Sequence, residues 1–453
     1  MKTRFADVKT PLPGPRSTAL RAEEAEWLAP GTQGVSQLAG IAVDHGAGAL
    51  VTDVDGNTFV DFVAGICVAS LGHGHPALAS ALGEQAAKIA AGSFTSQPRA
   101  ELLKRIGVLA GKIVPGSKLK RTQLYSGGAE AVESALRLAR AYTKKYEAVA
   151  FWGGFHGKTG GVLALMGSDF KHGLGPFAPG NHVAPYADCY RCPLKTTYPE
   201  CGLACVDFLR QLIKLNTAGS LAAIIVEPIQ GTAGNVVPPA DWLPAVKQVA
   251  RESGALLILD EMITGFGRTG RMFGAEHFGV EADIMTFGKG VASGFPLTGL
   301  VSTDDIVRAE PWSKPSFSSS SYGGGPLGAA AGNAVTRAIV DEKLPENAAA
   351  VGDAMLAELM KMKEKYPFVG DVRGKGLMLA VELVKDKRTR EPLDKKTCEW
   401  VFQECLKRGL LTMAYAPRIR INPPLTITRD QALEGVAILD EVLAKLASTW
   451  PSS

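Results

Sequence analysis

Lys289, Asp260, Glu227 and the pair Phe155–His156 share one feature: each stands at or just past the end of a short apolar run. ALLILD ends on Asp260, ADIMTF stops just before Lys289, AVAFW leads into Gly-Gly-Phe155-His156, and AAIIV is followed by Glu227. Runs this rich in Val, Ile and Leu read as strands buried on both faces of a parallel sheet. Ligands of such sheets sit outside the carboxyl ends of the strands. An acid, a lysine, an aromatic and a second acid therefore converge on one crevice. Ser126-Gly127-Gly128 opens into a helix beginning at Ala129. The free N–H groups and positive dipole end of such a turn make a cup for one phosphate. No Gly-Lys-Ser/Thr follows and G-x-G-x-x-G is missing, so the turn is neither a Walker loop nor a dinucleotide fingerprint.

A phosphate cup, a buried acid and a crevice lysine together point to pyridoxal 5'-phosphate. That cofactor needs a lysine for its Schiff base and an acid that keeps its ring nitrogen protonated as an electron sink. The lysine, once displaced by substrate, serves as general base. Each residue also has a plainer reading. Lys289 reads as a surface lysine, Asp260 as a helix cap or ion-pair partner, and Arg420 as an edge-strand arginine paired with an acid. His156 reads as well as a structural histidine as a working one. Glu227 either touches the cofactor or only orients its neighbours.

The elements that must position these residues follow from the pattern. Residues 1–35 read as a polar arm with a helical stretch around Arg21–Leu28. In ALVTDVDGNTFVDF (49–62) the pair Asp55-Gly56 lies between alternating apolar residues, which marks a hairpin. Helical patterns at 129–145 and 241–254 then alternate with the apolar runs 146–152, 221–228, 255–261 and 282–288. After about residue 335, helical patterns at 346–365, 395–409 and 429–448 frame strands at 376–384 and 418–422. The expected fold class is α/β, a mostly parallel sheet wrapped by helices plus a smaller α+β domain. Residues 1–75 form the N-terminal arm and part of the small domain, 76–335 the large cofactor-binding domain, and 336–453 the rest of the small one. SFSSSSYGGGP (316–326) reads as a flexible loop.

Composition narrows the function classes. A chain of 453 residues, 46% hydrophobic and 21% charged, has ample material for two to three domains. Its 49 basic and 45 acidic residues leave a net charge of +4 with no basic block, which argues against a nucleic-acid surface. No apolar run reaches the roughly 20 residues that span a bilayer. The start, MKTRFADVKTPLPGPR, lacks a signal peptide's apolar stretch, so a cytoplasmic location is expected. Of seven cysteines, Cys67, Cys398 and Cys405 are scattered. Cys189, Cys192, Cys201 and Cys205 form C-x2-C-x8-C-x3-C, which reads as a zinc-binding set or as a thiol-rich loop without metal. The spacing matches no standard finger, so no metal is assigned, and a disulfide is the least favoured option in this compartment.

The stretch LLILDEMITGFGRTGRMFGAEHFGVEADIMTFGKGVASGFPLTG (256–299) resembles the class III aminotransferases of the fold-type I pyridoxal-phosphate enzymes, which include 4-aminobutyrate and ornithine aminotransferases. DVDGNTFVDFVAGICVASLGHGHP, YSGGAEAVESALRLAR, FHGKT, VEPIQG, SYGGGPL and RIRINPPLTIT resemble further family blocks in the family order, so the resemblance covers nearly the whole chain. It implies that Lys289 carries the cofactor and that Asp260 faces the pyridine nitrogen. Gly127 and Gly128 would bind the phosphate through their backbone. Phe155 would stack on the ring with His156 and Glu227 beside it, and Met262 would pack the opposite face. Ser321 stands where the family places a threonine reaching the phosphate from a neighbouring subunit, which implies a homodimer or dimer of dimers. Ile66, Lys158 and Arg420 would face the substrate, Arg420 as a bidentate carboxylate clamp.

Three positions depart from the aminobutyrate and ornithine enzymes. Lys158 replaces an arginine, keeping the charge without the fork. Thr232 replaces the glutamate that pairs with the carboxylate arginine, and Ile263 replaces a glutamine near the cofactor oxygen. This combination is more similar to the ω-amine:pyruvate branch. The expected reaction passes an amino group from an ω-amino acid or amine to 2-oxoglutarate or pyruvate. The same scaffold also supports amino-acid racemases or epimerases and a dialkylglycine decarboxylase. A cofactor-sensing DNA-binding protein is disfavoured, because no helix-turn-helix or basic segment accompanies the motifs.

Overall fold

The computed structural model describes residues 4–450. The chain divides into two compact units: Ala77–Pro345, and Met1–Pro76 together with Glu346–Ser453.

The unit Ala77–Pro345 is built on a seven-stranded sheet. Its order is Arg121–Tyr125, Thr298–Ser302, Ile284–Phe287, Leu256–Asp260, Leu221–Val226, Glu147–Phe151, Asn181–Ala184. The last five strands are mutually parallel. Thr298–Ser302 runs antiparallel to both its neighbours. The apolar runs are the central strands, and burial on both faces explains why they lack polar alternation. Ala148, Ala150, Ala223, Ile225, Leu256 and Ile258 meet the helix Gly128–Thr143 on one side. Ala131, Ala135 and Ala139, spaced one turn apart on that helix, are wholly buried and let its backbone lie close to the sheet. Val149, Ile224, Leu257 and Leu259 are buried as well. Three strands escape the apolar-run pattern, among them Asn181–Ala184, the far edge, on which Ala184 alone is fully buried. Arg121–Tyr125 is an edge, and its exposed or half-buried Arg121, Thr122 and Gln123 suit an edge better than a core. Thr298–Ser302 is short and carries a glycine, though every residue is buried.

In the other unit, Leu50–Asp53 and Thr58–Asp61 pair antiparallel across the Asp55-Gly56 turn, where Gly56 takes φ of +85°. The first helix spans Pro15–Ala25, not the Arg21–Leu28 stretch that the sequence pattern favours. Its start is fixed by the Asp55 carboxylate, which accepts from the Arg16 and Ser17 amides at 2.8 Å each. A cap supplied by a distant turn leaves no local sequence signal. Leu410–Leu411 adds a parallel strand beside Thr58–Asp61, which joins the two ends of the chain. Val369–Lys375, Met378–Leu383 and Arg418–Ile421 form an antiparallel sheet. Helices Leu344–Lys365, Lys395–Lys407 and Arg429–Ala447 accompany it. Among the described residues no helix is long and apolar enough to cross a membrane.

One backbone approach in this unit tolerates no side chain. A Cβ at Gly352 would stand 2.1 Å from the Gly376 carbonyl oxygen, in the turn between Val369–Lys375 and Met378–Leu383. Gly352→Ala must push helix and hairpin apart, so a loss of about 2 kcal/mol is expected. A thermal melt should show a midpoint several degrees lower; an unchanged midpoint would mean the approach is not needed.

Candidate active site

Asp260 and His156 are 2% and 3% exposed. His156 Nδ1 lies 2.7 Å from Asp260 Oδ2, while Asp260 Oδ1 accepts from the Met262 amide at 3.1 Å. Burial by itself drives His156 toward its neutral form. The hydrogen bond and charge of Asp260, with the charge of Glu227, outweigh it and raise the imidazole pKa. Glu227 is raised in turn, chiefly by burial. Its two oxygens accept from the Phe155 and Gly231 amides, both at 3.0 Å. Glu227 therefore pins the loop that presents Phe155.

Phe155 is half-buried and meets Phe170 edge-on, with ring centroids 5.7 Å apart. Lys158 Nζ lies 5.9 Å from the Phe155 ring and 5.5 Å from that of Phe170, a cation held on aromatic faces beside the site.

The helix Gly128–Thr143 begins with amides aimed at an anion. The Ser126 and Gly127 N–H groups both donate to Glu130 Oε2, at 3.0 and 3.3 Å. That carboxylate occupies donors expected for a phosphate and must turn away or share them when one binds. Thr298 Oγ1 donates to the Gly127 carbonyl at 3.0 Å and steadies the turn. The Met262 sulfur lies 3.4 Å from where a Cβ on Gly128 would stand and 2.6 Å from one on Gly288. It therefore joins the glycine turn to the backbone that carries Lys289. Lys289 takes φ of +43°, a strained conformation for a residue other than glycine, costing about 1 kcal/mol or more. Among the described residues its ammonium makes no hydrogen bond or ion pair. Beside Asp260 in register, the buried Thr286 hydroxyl has no hydrogen-bond partner among the described residues.

Ser321, Arg420 and Ile66 stand on other segments of the chain. Ser321 is exposed in the loop before the helix Pro326–Asp341. Arg420 is half-buried on Arg418–Ile421, opposite Ala380, and has no acid partner among the described residues. Ile66 is half-buried at φ of +65° within a turn, Ala64–Cys67, whose residues all have positive φ. Such a run is costly for L-residues. Asp61 holds it by accepting from the Val63 and Ala64 amides, and His73 Nε2 lies 2.9 Å from its other oxygen. No sequence signal announces that turn, nor the parts played by Glu130 and Thr298.

The class III aminotransferase family profile matches residues 32–443. The chain belongs to the class III aminotransferases. A class III aminotransferase depends on pyridoxal phosphate, and the residues present fit that group: amides aimed at an anion, a buried carboxylate–imidazole pair, an aromatic ring and an unpaired lysine. A 4-aminobutyrate aminotransferase of Mycobacterium leprae is 35% identical over 441 residues, 96% of this chain and 97% of that protein. A leucine/methionine racemase of Thermococcus litoralis is 34% identical over 400 residues, 87% of this chain and 89% of that protein. An amine transaminase from an uncultivated Pseudomonas species, solved in its PLP-bound form, is 32% identical. It matches with a TM-score of 0.86 over 93% of this chain and 98% of that one.

The Asp260 pairing sets a pH dependence. A histidine whose pKa is raised on folding stabilises the fold below its unfolded value, about 6.5, and loses that contribution as pH rises through the folded value. Buried Glu261, pushed up to about 7, adds a decline between its unfolded value and about 7. Melting temperature should therefore fall from about pH 5 toward alkaline pH. In His156→Asn the part of that slope above about pH 6.5 should flatten; an identical slope in the variant would contradict the pairing.

Proposed function

We propose that this aminotransferase takes the amino group from an ω-amino acid of the 4-aminobutyrate kind, or from a simple amine, and passes it to 2-oxoglutarate or pyruvate. When bound, pyridoxal phosphate supplies the electron sink for breaking the bond to the substrate α-hydrogen. The chain's own residues bind, orient and move protons. Lys289 carries the cofactor and, as a free amine, takes the proton from the substrate carbon and returns it. Asp260, held by His156 and the Met262 amide, keeps a proton on the ring nitrogen. The amides from Ser126 to Gly128 would hold the phosphate, and Phe155 and Met262 would flank the ring. Ser321 reaches the phosphate of a second copy of the chain, so the working form is a homodimer, and its place is cytoplasmic. Ile66 and Arg420 complete the substrate side, Arg420 clamping a carboxylate.

The observation that supports the substrate class is Lys158. Its ammonium sits over Phe155 and Phe170, beside the ring that would stack on the cofactor. A single point charge there suits one carboxylate at the far end of an amino acid and does not demand one. Buried Ile263 adds an apolar wall, its Cδ1 2.4 Å from where a Cβ on Gly231 would stand. The relative named for 4-aminobutyrate agrees with this reading. The similarity to a racemase gives the second reading, α-proton removal and return with no acceptor.

Steady-state assays across 4-aminobutyrate, longer ω-amino acids, ornithine and simple amines, with pyruvate and 2-oxoglutarate in turn, test the proposal. Keto-acid-dependent consumption of ω-amino acids or amines is expected. Lys158→Ala should raise KM for the ω-amino acids about 10-fold and leave uncharged amines nearly unaffected. Activity confined to ornithine, or loss of optical activity from an α-amino acid without any keto acid, would contradict it.

A further inference from the structure

Four cysteines lie outside the site described above. Three are in the loop after the strand Asn181–Ala184, and the fourth is in the first turn of the helix Ala204–Asn216. Cys189, Cys192, Cys201 and Cys205 all line one cavity of about 20 Å3, with Tyr186 and Tyr198 also in its walls. That volume holds a single water-sized occupant.

Donors are already directed at two of the sulfurs. Thr196 Oγ1 lies 3.3 Å from the Cys192 Sγ. A donor at that distance favours a thiolate, since a hydrogen bond to a charged acceptor is about twice as strong as a neutral one. The Trp242 indole is wholly buried, and its N–H lacks a hydrogen bond of normal geometry. The Cys205 sulfur is the acceptor close enough to interact with it. A buried donor without a full hydrogen bond calls for a stronger acceptor than a thiol, which a thiolate supplies.

We propose that Cys189, Cys192, Cys201 and Cys205 bind one zinc ion, each through its sulfur. Four thiolates suit tetrahedral zinc, with Zn–S of about 2.3 Å. Binding exchanges four S–H bonds for four Zn–S bonds; four protons leave and no electron moves. The resulting centre carries two negative charges, and Arg191 and Lys195 stand in the same loop. Among the described residues no three His, Cys, Asp or Glu side chains already stand as a ligand shell, so the sulfurs must turn about their χ1 bonds to close on the ion. A shell of four protein ligands leaves no open position, which makes the ion structural. Its influence on the site would run through Tyr186. That ring packs 4.3 Å from Trp242, and its hydroxyl donates to the Glu227 and Pro228 carbonyls at 3.2 and 3.1 Å.

Elemental analysis of the wild-type chain, purified in reductant, tests the site independently of any assay of transfer. One zinc per chain is expected, lost in Cys189→Ser/Cys192→Ser. Wild-type protein stripped with a chelator should take zinc back when titrated with zinc alone. A thiol reagent should find four more reactive thiols in the stripped protein than in the zinc-loaded one. Failure of stripped wild-type protein to take up zinc would overturn the proposal. So would disulfides among these cysteines, or iron with sulfide in place of zinc. The decisive measurements are made on wild-type protein, so misfolding of a variant leaves them intact.

Discussion

A carboxylate and an imidazole face each other at 2.7 Å where the strands Leu256–Asp260 and Glu147–Phe151 give way to loops. Both are almost wholly buried. An isolated charge in that place would cost several kcal/mol, and would be relieved by losing or gaining a proton. Paired, Asp260 and His156 hold each other in position, and the Met262 amide takes up the second carboxylate oxygen. The rest of the site is arranged around that pair. Glu227 stays buried because two backbone amides donate to its oxygens, and one of them belongs to the residue before His156. The sheet is the rigid frame: side chains delivered by neighbouring parallel strands are kept in register by the ladder between them.

Strain and close approach collect on the same side of the unit. Lys289 holds a left-handed backbone, Met262 and Thr298 fill the space where a Cβ on Gly288 would stand, and the Gly127 carbonyl is tied to Thr298. Backbone strain persists only where the surroundings over-determine it, and it gathers at functional positions. The turn Ala64–Cys67 in the other unit follows the same rule, a run of unfavourable backbone held by one buried carboxylate.

The central strands are legible because burial on two faces leaves short apolar runs, and the glycine turn, by itself an ordinary tight turn, gains its meaning from the acid and lysine at the strand ends. That Asp260 and the Phe155–His156 loop stand at strand ends can be read from the apolar runs alone. The pairing of His156 with Asp260 cannot, because loop conformation decides which ring nitrogen meets which oxygen. Arg121–Tyr125 escapes notice as an edge strand with polar residues. The pattern places the Pro15–Ala25 helix too late because Asp55, distant in sequence, sets its start. Glu130 reads as an ordinary helix-surface acid until its carboxylate is seen on the Ser126 and Gly127 amides. The cap on Pro15–Ala25 and the His156–Asp260 pair are contacts between segments remote in sequence, and the turn Ala64–Cys67 is a backbone shape that no residue type demands.

The central claim is that Lys289 is the amine that the fold holds ready for an aldehyde cofactor beside Asp260. Borohydride reduction of the protein loaded with pyridoxal phosphate, followed by peptide mass mapping, tests this most directly. The pyridoxyl mass should appear on the peptide carrying Lys289 and vanish in Lys289→Ala. A label on a different lysine, or none on a protein that has taken up the cofactor, would contradict it.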